Sequence, residues 1–354
     1  MLLFVSALSP ASQALPRTTA ALAGEAGWLS TLIALPVMVL LCLALRRLSA
    51  CASEGGGLAA GFERALGRRW GRALTFLYLL WGLLVLSANL RAYGQRYLIT
   101  SYRNTSLAAV VVILLLLVVW LARGKLSAFA RAGEIFFLVL ALMPSAVLFF
   151  ALLNLEWKNV LPVWVEDLPA GALSALSALG ALGHVVFGGF LAGAVRPQPG
   201  DGARGVRWTV RLCLLLTAFQ FICIGNFGPA LVSAMESPLY MMVKGIGVEG
   251  GLERIEALVV ALWVLCELVL SGVLVFSCCV IAKRLFSLSQ ARTAAVPVAA
   301  LGGAGAIFLF PDVFALRRFT ETVLNLGNLV LGFAVPLLLT LTVVLRERRR
   351  KRQI

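Results

Sequence analysis

Positive charge alternates from loop to loop along this chain, and this pattern constrains the possible folds more than any other feature. Ten apolar segments run through the 354 residues. When the N-terminus is placed inside, 22 of the 31 lysine and arginine residues lie in connections on that side. Lysine and arginine near membrane ends resist translocation. The asymmetry therefore predicts ten membrane spans with both termini in the cytoplasm.

The composition also requires a membrane, because 61% of the residues are hydrophobic and only 13% are charged. A soluble protein of this size cannot bury so much apolar surface, so the bilayer must serve as its solvent. We predict an all-α polytopic membrane protein with a single transmembrane domain over residues 1–354 and a basic cytoplasmic tail at 346–354. The net charge of +15 lies in short loops and this tail, which favours contacts with membrane lipids and not with nucleic acid.

The apolar segments have lengths suited to transmembrane helices. We place the spans at 2–22, 28–45, 73–99, 106–122, 129–153, 171–195, 208–233, 255–282, 294–311 and 322–345. Between spans 2 and 3, Leu58, Phe62, Leu66 and Trp70 recur every four residues among arginines. This spacing predicts an amphipathic helix that lies in the membrane interface.

Helix-breaking residues interrupt spans 1 and 6, which occupy equivalent places in two halves of five spans. Span 1 contains Ser9-Pro10, and span 6 contains Gly183 among several other glycines. Discontinuous helices at matching positions point to an inverted repeat with a binding site at mid-membrane. The freed N–H and C=O groups suit the two charges of an amino acid. The alternative is that these glycines only allow close helix packing.

Two ionisable residues lie at the predicted membrane depth. His184 follows Gly183 in span 6, and Glu267 lies near the middle of span 8. Such residues are costly in a bilayer and often mark ligand or proton sites. The alternative is that each is held by hydrogen bonds to neighbouring helices.

The sequence contains no motif typical of an enzyme. It has no P-loop, no H-E-x-x-H motif and no nucleophile elbow. A single histidine nearly excludes a histidine-based metal site, and the seven cysteines form no C-x-x-C pair. We therefore expect no catalytic residues, no metal and no cofactor.

Several short strings follow one another in the order of a known family. They are Leu15-Pro16-Arg17, Gly124-x-Leu126-Ser127, Asn159-Val160-Leu161-Pro162-Val163 and Leu252-Glu253-Arg254-Ile255-Glu256-Ala257, the last followed by Trp263. With these strings the chain resembles the permease-like B subunit of bacterial spore germinant receptors, in the endospore germination permease family of the amino acid–polyamine–organocation superfamily.

The resemblance implies a fold of five plus five inverted spans in which spans 1 and 6 are discontinuous. It also implies that the protein senses a small germinant, commonly an amino acid, in the inner membrane of a dormant spore. The implied partners are a membrane-embedded A subunit and a lipoprotein C subunit.

From depth and from this fold analogy we predict a ligand-binding pocket. Its residues are Ser9, Pro10 and Ala11 on span 1, Gly183, His184 and Phe187 on span 6, Asn89 on span 3, and Glu267 and Ser271 on span 8. Three functions stay open. The protein could be a germinant sensor, a proton- or cation-coupled amino acid transporter, or a scaffold subunit that binds no ligand.

Overall fold

The computed structural model describes residues 1–50, 57–100, 105–195, 198, 200–245 and 255–352. These residues form helices and connections, with no strand among them. The main helices are α1 (Leu2–Ala23), α2 (Ser30–Ala50), α3 (Gly57–Leu66), α4 (Arg68–Thr100), α5 (Leu107–Arg123), α6 (Leu126–Leu152), α7 (Leu168–Leu182), α8 (Gly188–Leu191), α9 (Asp201–Phe227), α10 (Pro229–Ala234), α11 (Pro238–Gly245), α12 (Ile255–Leu285), α13 (Ala295–Phe308), α14 (Val313–Phe319), α15 (Asn325–Gly327) and α16 (Val335–Arg352).

The helices confirm the predicted all-α membrane architecture. Seven helical stretches of the described residues are long and apolar enough to cross a membrane, and Leu107–Arg123 is a shorter apolar helix. Each predicted span coincides with a helix or with a run of short helices. The basic tail continues α16 as far as Arg352, and residues 353–354 lie outside the described part.

The predicted break in span 1 is wrong, because α1 runs from Leu2 to Ala23 with both Pro10 and Pro16 inside it. A proline removes one N–H from the helical ladder. Unwinding the segment would free several more backbone groups in an apolar environment, where each unsatisfied group costs several kcal/mol. Helix α1 therefore lacks one backbone hydrogen bond at each proline and stays continuous.

The first of two compact units is built from three stretches, Met1–Val39, Ala132–Leu182 and Arg204–Glu267. Within it, α1 packs against α7 and α10. The hydroxyl oxygens of Ser30 and Ser174 lie 2.6 Å apart, and Gln220 Nε2 donates to Thr31 Oγ1. These bonds satisfy polar side chains that are otherwise buried among apolar ones.

The second compact unit is also built from three stretches, Leu40–Arg131, Gly183–Ala203 and Leu268–Ile354. In this unit α13 packs against α4 and α5. A Cβ atom on Gly302 would lie 2.5 Å from Leu86, and one on Gly303 would lie 2.3 Å from Leu115. Glycine at both positions thus allows the three helices to approach closely. The prediction of a single domain over 1–354 stays a prediction.

The predicted amphipathic helix between spans 2 and 3 is split in two. Helix α3 ends at Leu66, and α4 begins at Arg68. Leu58 and Phe62 are fully buried, whereas Trp70 is 74% exposed. The four apolar residues therefore do not form one continuous face, because Gly67 turns the chain between them at φ +86°.

Candidate functional site

The span 6 turn, defined here as Gly183–Phe187, is the centre of the candidate site. Helix α7 ends at Leu182, the turn is a 3₁₀ helix, and α8 follows at Gly188. Gly183, His184 and Phe187 are all buried. The departure from α-helical geometry that the glycines of span 6 predict is confirmed at the expected position.

Gly183 lies directly against span 10 within the second compact unit. A Cβ atom on Gly183 would be 2.5 Å from the backbone oxygen of Asn328, and one on Gly332 would be 2.6 Å from the Gly183 oxygen. Real Cβ atoms do not approach so closely, so both glycines are required by the contact between two backbones. Gly183 therefore packs closely against span 10, and this contact holds the span 6 turn in place.

Span 10 is itself irregular where it meets this turn. Thr320–Leu324 and Asn328–Ala334 have π-helical hydrogen bonding, and the Val335 N–H donates to the Val330 oxygen, five residues earlier. Pro336 has no N–H to offer to Gly332, which disfavours the ordinary α register at this point. Single π-helical turns are frequent at functional sites.

Side-chain hydroxyls satisfy carbonyl groups in both irregular segments. The Tyr78 hydroxyl donates to the Leu331 oxygen, and Ser277 Oγ donates to the Phe187 oxygen at 2.9 Å. Tyr78 and Ser277 are fully buried. A bound ligand or ion can satisfy such carbonyl groups at mid-membrane, but at these two carbonyls side chains of the protein do so.

Trp81 and Asn328 connect span 3 to span 10. Trp81 Nε1 donates to Asn328 Oδ1 at 3.1 Å, and both side chains are buried. A Cβ atom on Gly327 would lie 2.1 Å from the Trp81 ring, so the indole lies against the backbone of span 10. This contact fixes the position of Asn328, whose backbone lies against Gly183.

Phe187 lies inside an aromatic cluster. Its ring centroid is 6.4 Å from that of Tyr78 and 6.2 Å from that of Phe190, and a Cβ atom on Gly82 would lie 2.9 Å from the Phe187 ring. The side chain is fully buried. In this conformation Phe187 is part of the packed core of the second unit.

The structure brings together two of the predicted wall residues. Asn89 Nδ2 on α4 donates to Ser271 Oγ on α12 at 3.3 Å. Ser271 is fully buried, and Asn89 is partly buried. A pair of amide and hydroxyl groups can both donate and accept hydrogen bonds, as recognition of an amino acid requires.

The other predicted site residues belong to the first compact unit. Ser9, Pro10 and Ala11 lie inside the continuous α1, and Glu267 is buried on α12, with 1% of its surface exposed. Their part in a ligand pocket stays a prediction. Of the Leu252–Ala257 string, only residues 255–257 are described, as the start of α12.

Sequence reasoning missed the contribution of span 10. The signal is present in the sequence, since Asn328 is a polar residue flanked by Gly327, Gly332 and Pro336 in an apolar segment. Its importance depends on contacts with Trp81 and Gly183, which are far away along the chain. Among the described residues, no cluster of three or more histidine, cysteine, aspartate or glutamate side chains could hold a metal ion.

Together the apolar helices define an all-α polytopic membrane protein. The chain belongs to the spore germination protein family, which residues 1–310 match. The resemblance inferred from the short strings is thereby confirmed.

Among solved structures, the chain is similar to the crystal structure of MhsT in complex with L-phenylalanine. The TM-score is 0.64 at 18% sequence identity, over 94% of this chain and 88% of MhsT. At this identity the similarity shows a shared fold. A comparison with curated proteins gave no match.

Proposed function

We propose that the chain is the permease-like subunit of a spore germinant receptor and that it binds a small germinant, an amino acid, at mid-membrane. The observation that carries this proposal is the buried 3₁₀ turn of span 6, which Gly183 joins to the π-helical part of span 10. The crystal structure of MhsT contains L-phenylalanine, which supports an amino acid as the ligand class.

Ligand binding triggers germination through a conformational change or through ion release. A ligand shifts a conformational equilibrium only when it binds two states with different affinity. The span 6 turn suits this role, because a short 3₁₀ segment can change register at low cost compared with a long α-helix. Asn89 and Ser271 supply polar groups for recognition. His184 and Glu267, with Ser9, Pro10 and Ala11, complete the proposed set of ligand-binding residues.

The proposed partners are the A subunit and the lipoprotein C subunit of the receptor. The proposed location is the inner membrane of the spore, with both termini in the cytoplasm. This orientation follows from the 22 basic residues assigned to one side of the membrane.

The test compares two glycine substitutions in spores that produce the complete receptor. Gly183→Ala places a methyl group 2.5 Å from the backbone of Asn328, whereas a Cβ atom on Gly245 has no atom of the described residues within 4 Å. Overpacking of this kind costs about 1–3 kcal/mol and displaces the turn. We expect Gly183→Ala to reduce the germination rate at least about tenfold at equal protein levels, and Gly245→Ala to leave it unchanged.

The two alternative functions predict different results. A transporter would move labelled amino acid into proteoliposomes of the purified chain, in the absence of other subunits. A scaffold subunit would support germination equally well in both glycine variants. Equal germination by Gly183→Ala and Gly245→Ala spores, at equal protein levels, would contradict the proposal.

A further inference from the structure

The junction between α3 and α4 forms a surface that the proposed function does not use. We call Leu66, Arg68, Arg69 and Trp70 the elbow patch. Gly67 turns the chain there at φ +86°, a conformation that favours glycine. The turn leaves Leu66 40% exposed and Trp70 74% exposed, and both arginines are exposed as well.

The charge of the elbow patch comes from Arg68 and Arg69. In the part of the chain that the structure describes, neither Arg68 nor Arg69 forms an ion pair or a hydrogen bond. The adjacent carboxylate of Glu63 is engaged through both oxygens by Arg284, at 3.0 and 2.7 Å. Arg346 adds a further positive charge nearby, since its Nη1 donates to the Ala65 oxygen at 2.7 Å. The Glu63 carboxylate also attracts Arg68 electrostatically, but the described residues around the patch still carry a net positive charge.

An exposed apolar face of α4 adjoins the arginines of the elbow patch. Trp70, Ala73, Leu77 and Leu80 are spaced for one face of α4, and all four are exposed. Arg68–Leu98 is long and apolar enough to cross a membrane, so this face meets acyl chains along its length. The elbow patch therefore lies where the apolar surface of α4 ends. This position corresponds to the membrane–water interface, where tryptophan and arginine side chains are favoured.

We propose that the elbow patch is a binding site for an anionic phospholipid. Arg68 and Arg69 bind the headgroup phosphate, Trp70 lies at the level of the glycerol backbone, and the exposed face of α4 accommodates an acyl chain. A free phosphate ion would use the arginines alone, and it would gain nothing from Leu66 and Trp70. The proposal does not depend on the germinant site.

The experiment measures quenching of tryptophan fluorescence by phosphatidylglycerol with brominated acyl chains. The lipid is titrated into the purified full-length chain in detergent, against a constant background of phosphatidylcholine. The chain has 8 tryptophans, so a Trp70→Phe variant isolates the Trp70 signal by difference. We expect saturable quenching of Trp70 by phosphatidylglycerol and much weaker quenching by brominated phosphatidylcholine.

Paired variants test the arginines. Each basic residue near an anionic surface contributes about fivefold in affinity, so Arg68→Gln/Arg69→Gln should raise the half-saturation point about 30-fold. Arg348→Gln/Arg349→Gln removes the same charge from exposed residues of α16 and should leave the half-saturation point within about twofold. Arg68→Lys/Arg69→Lys keeps the charge and shows that the elbow tolerates substitution.

Three results would overturn the proposal. The first is equal quenching of Trp70 by phosphatidylglycerol and phosphatidylcholine. The second is the same half-saturation point for the elbow and tail variants. The third is displacement of the lipid by inorganic phosphate at the same ionic strength as a chloride control, which would assign the arginines to a free anion.

Discussion

At the scale of single residues, the site depends on a few side chains that satisfy backbone groups in irregular helices. Tyr78 and Ser277 donate to carbonyl oxygens, and Trp81 donates to the side chain of Asn328. Each bond satisfies a polar group that is buried in the apolar core. These contacts explain how two non-α segments can persist inside an apolar core.

Replacing Trp81 by phenylalanine tests the contribution of the Trp81–Asn328 hydrogen bond. The substitution removes the Nε1–H that donates to the buried Asn328 Oδ1, and the loss of one hydrogen bond costs about 0.5–1.5 kcal/mol. We expect Trp81→Phe to lower the unfolding temperature in detergent and to weaken ligand binding. The matched control is Trp120→Phe, because Trp120 is 74% exposed on α5. Equal unfolding temperatures for the two variants would argue against a structural role for the Trp81–Asn328 bond.

At the scale of helices, the sequence predicts regular elements better than irregular ones. The prediction of ten spans follows from the length of the apolar segments and from the charge of the connections. The break in span 6 follows from its glycines. Pro10 predicts a break in span 1, but α1 is continuous there. A proline can remain inside a membrane helix when the other backbone hydrogen bonds are intact. The π-helical part of span 10 was missed because its partners, Tyr78 and Trp81, lie about 250 residues away in sequence.

The contact between α3 and α12 makes stability depend on pH. Glu63 binds Arg284 through both carboxylate oxygens, and this hydrogen bonding lowers the pKa of Glu63 below its usual value. A lowered pKa in the folded state stabilises the protein at pH values above the unfolded pKa of about 4.3. That contribution is lost as the pH falls through the folded pKa.

We therefore expect Glu63→Gln to be less stable than the parent at neutral pH and equally stable in strong acid. The measurement is the unfolding temperature in detergent between about pH 3 and pH 7, with the fold verified by circular dichroism. Glu236→Gln serves as the control, since Glu236 is exposed. A difference between Glu63→Gln and the parent that does not change with pH would rule out the ion pair as its cause.

At the scale of the whole molecule, the chain is a membrane protein of the spore germination protein family with the fold of MhsT. Composition and charge alone predict the class, because the bilayer limits the possible architectures to helices and closed barrels. The family could be inferred from strings that keep their order along the chain. The identity of the ligand could not, since specificity depends on the geometry of side chains around the span 6 turn, such as the Asn89–Ser271 pair.

The most direct test of the central claim is thermal stabilisation of the purified chain by each of the twenty amino acids. A ligand that binds only the folded state stabilises it by about 2.7 kcal/mol at 100 times its Kd. We predict a ligand-specific increase in unfolding temperature that Gly245→Ala retains and Gly183→Ala loses. An equal increase in both variants would contradict a binding site at the span 6 turn, and so would the absence of any increase in well-folded parent protein.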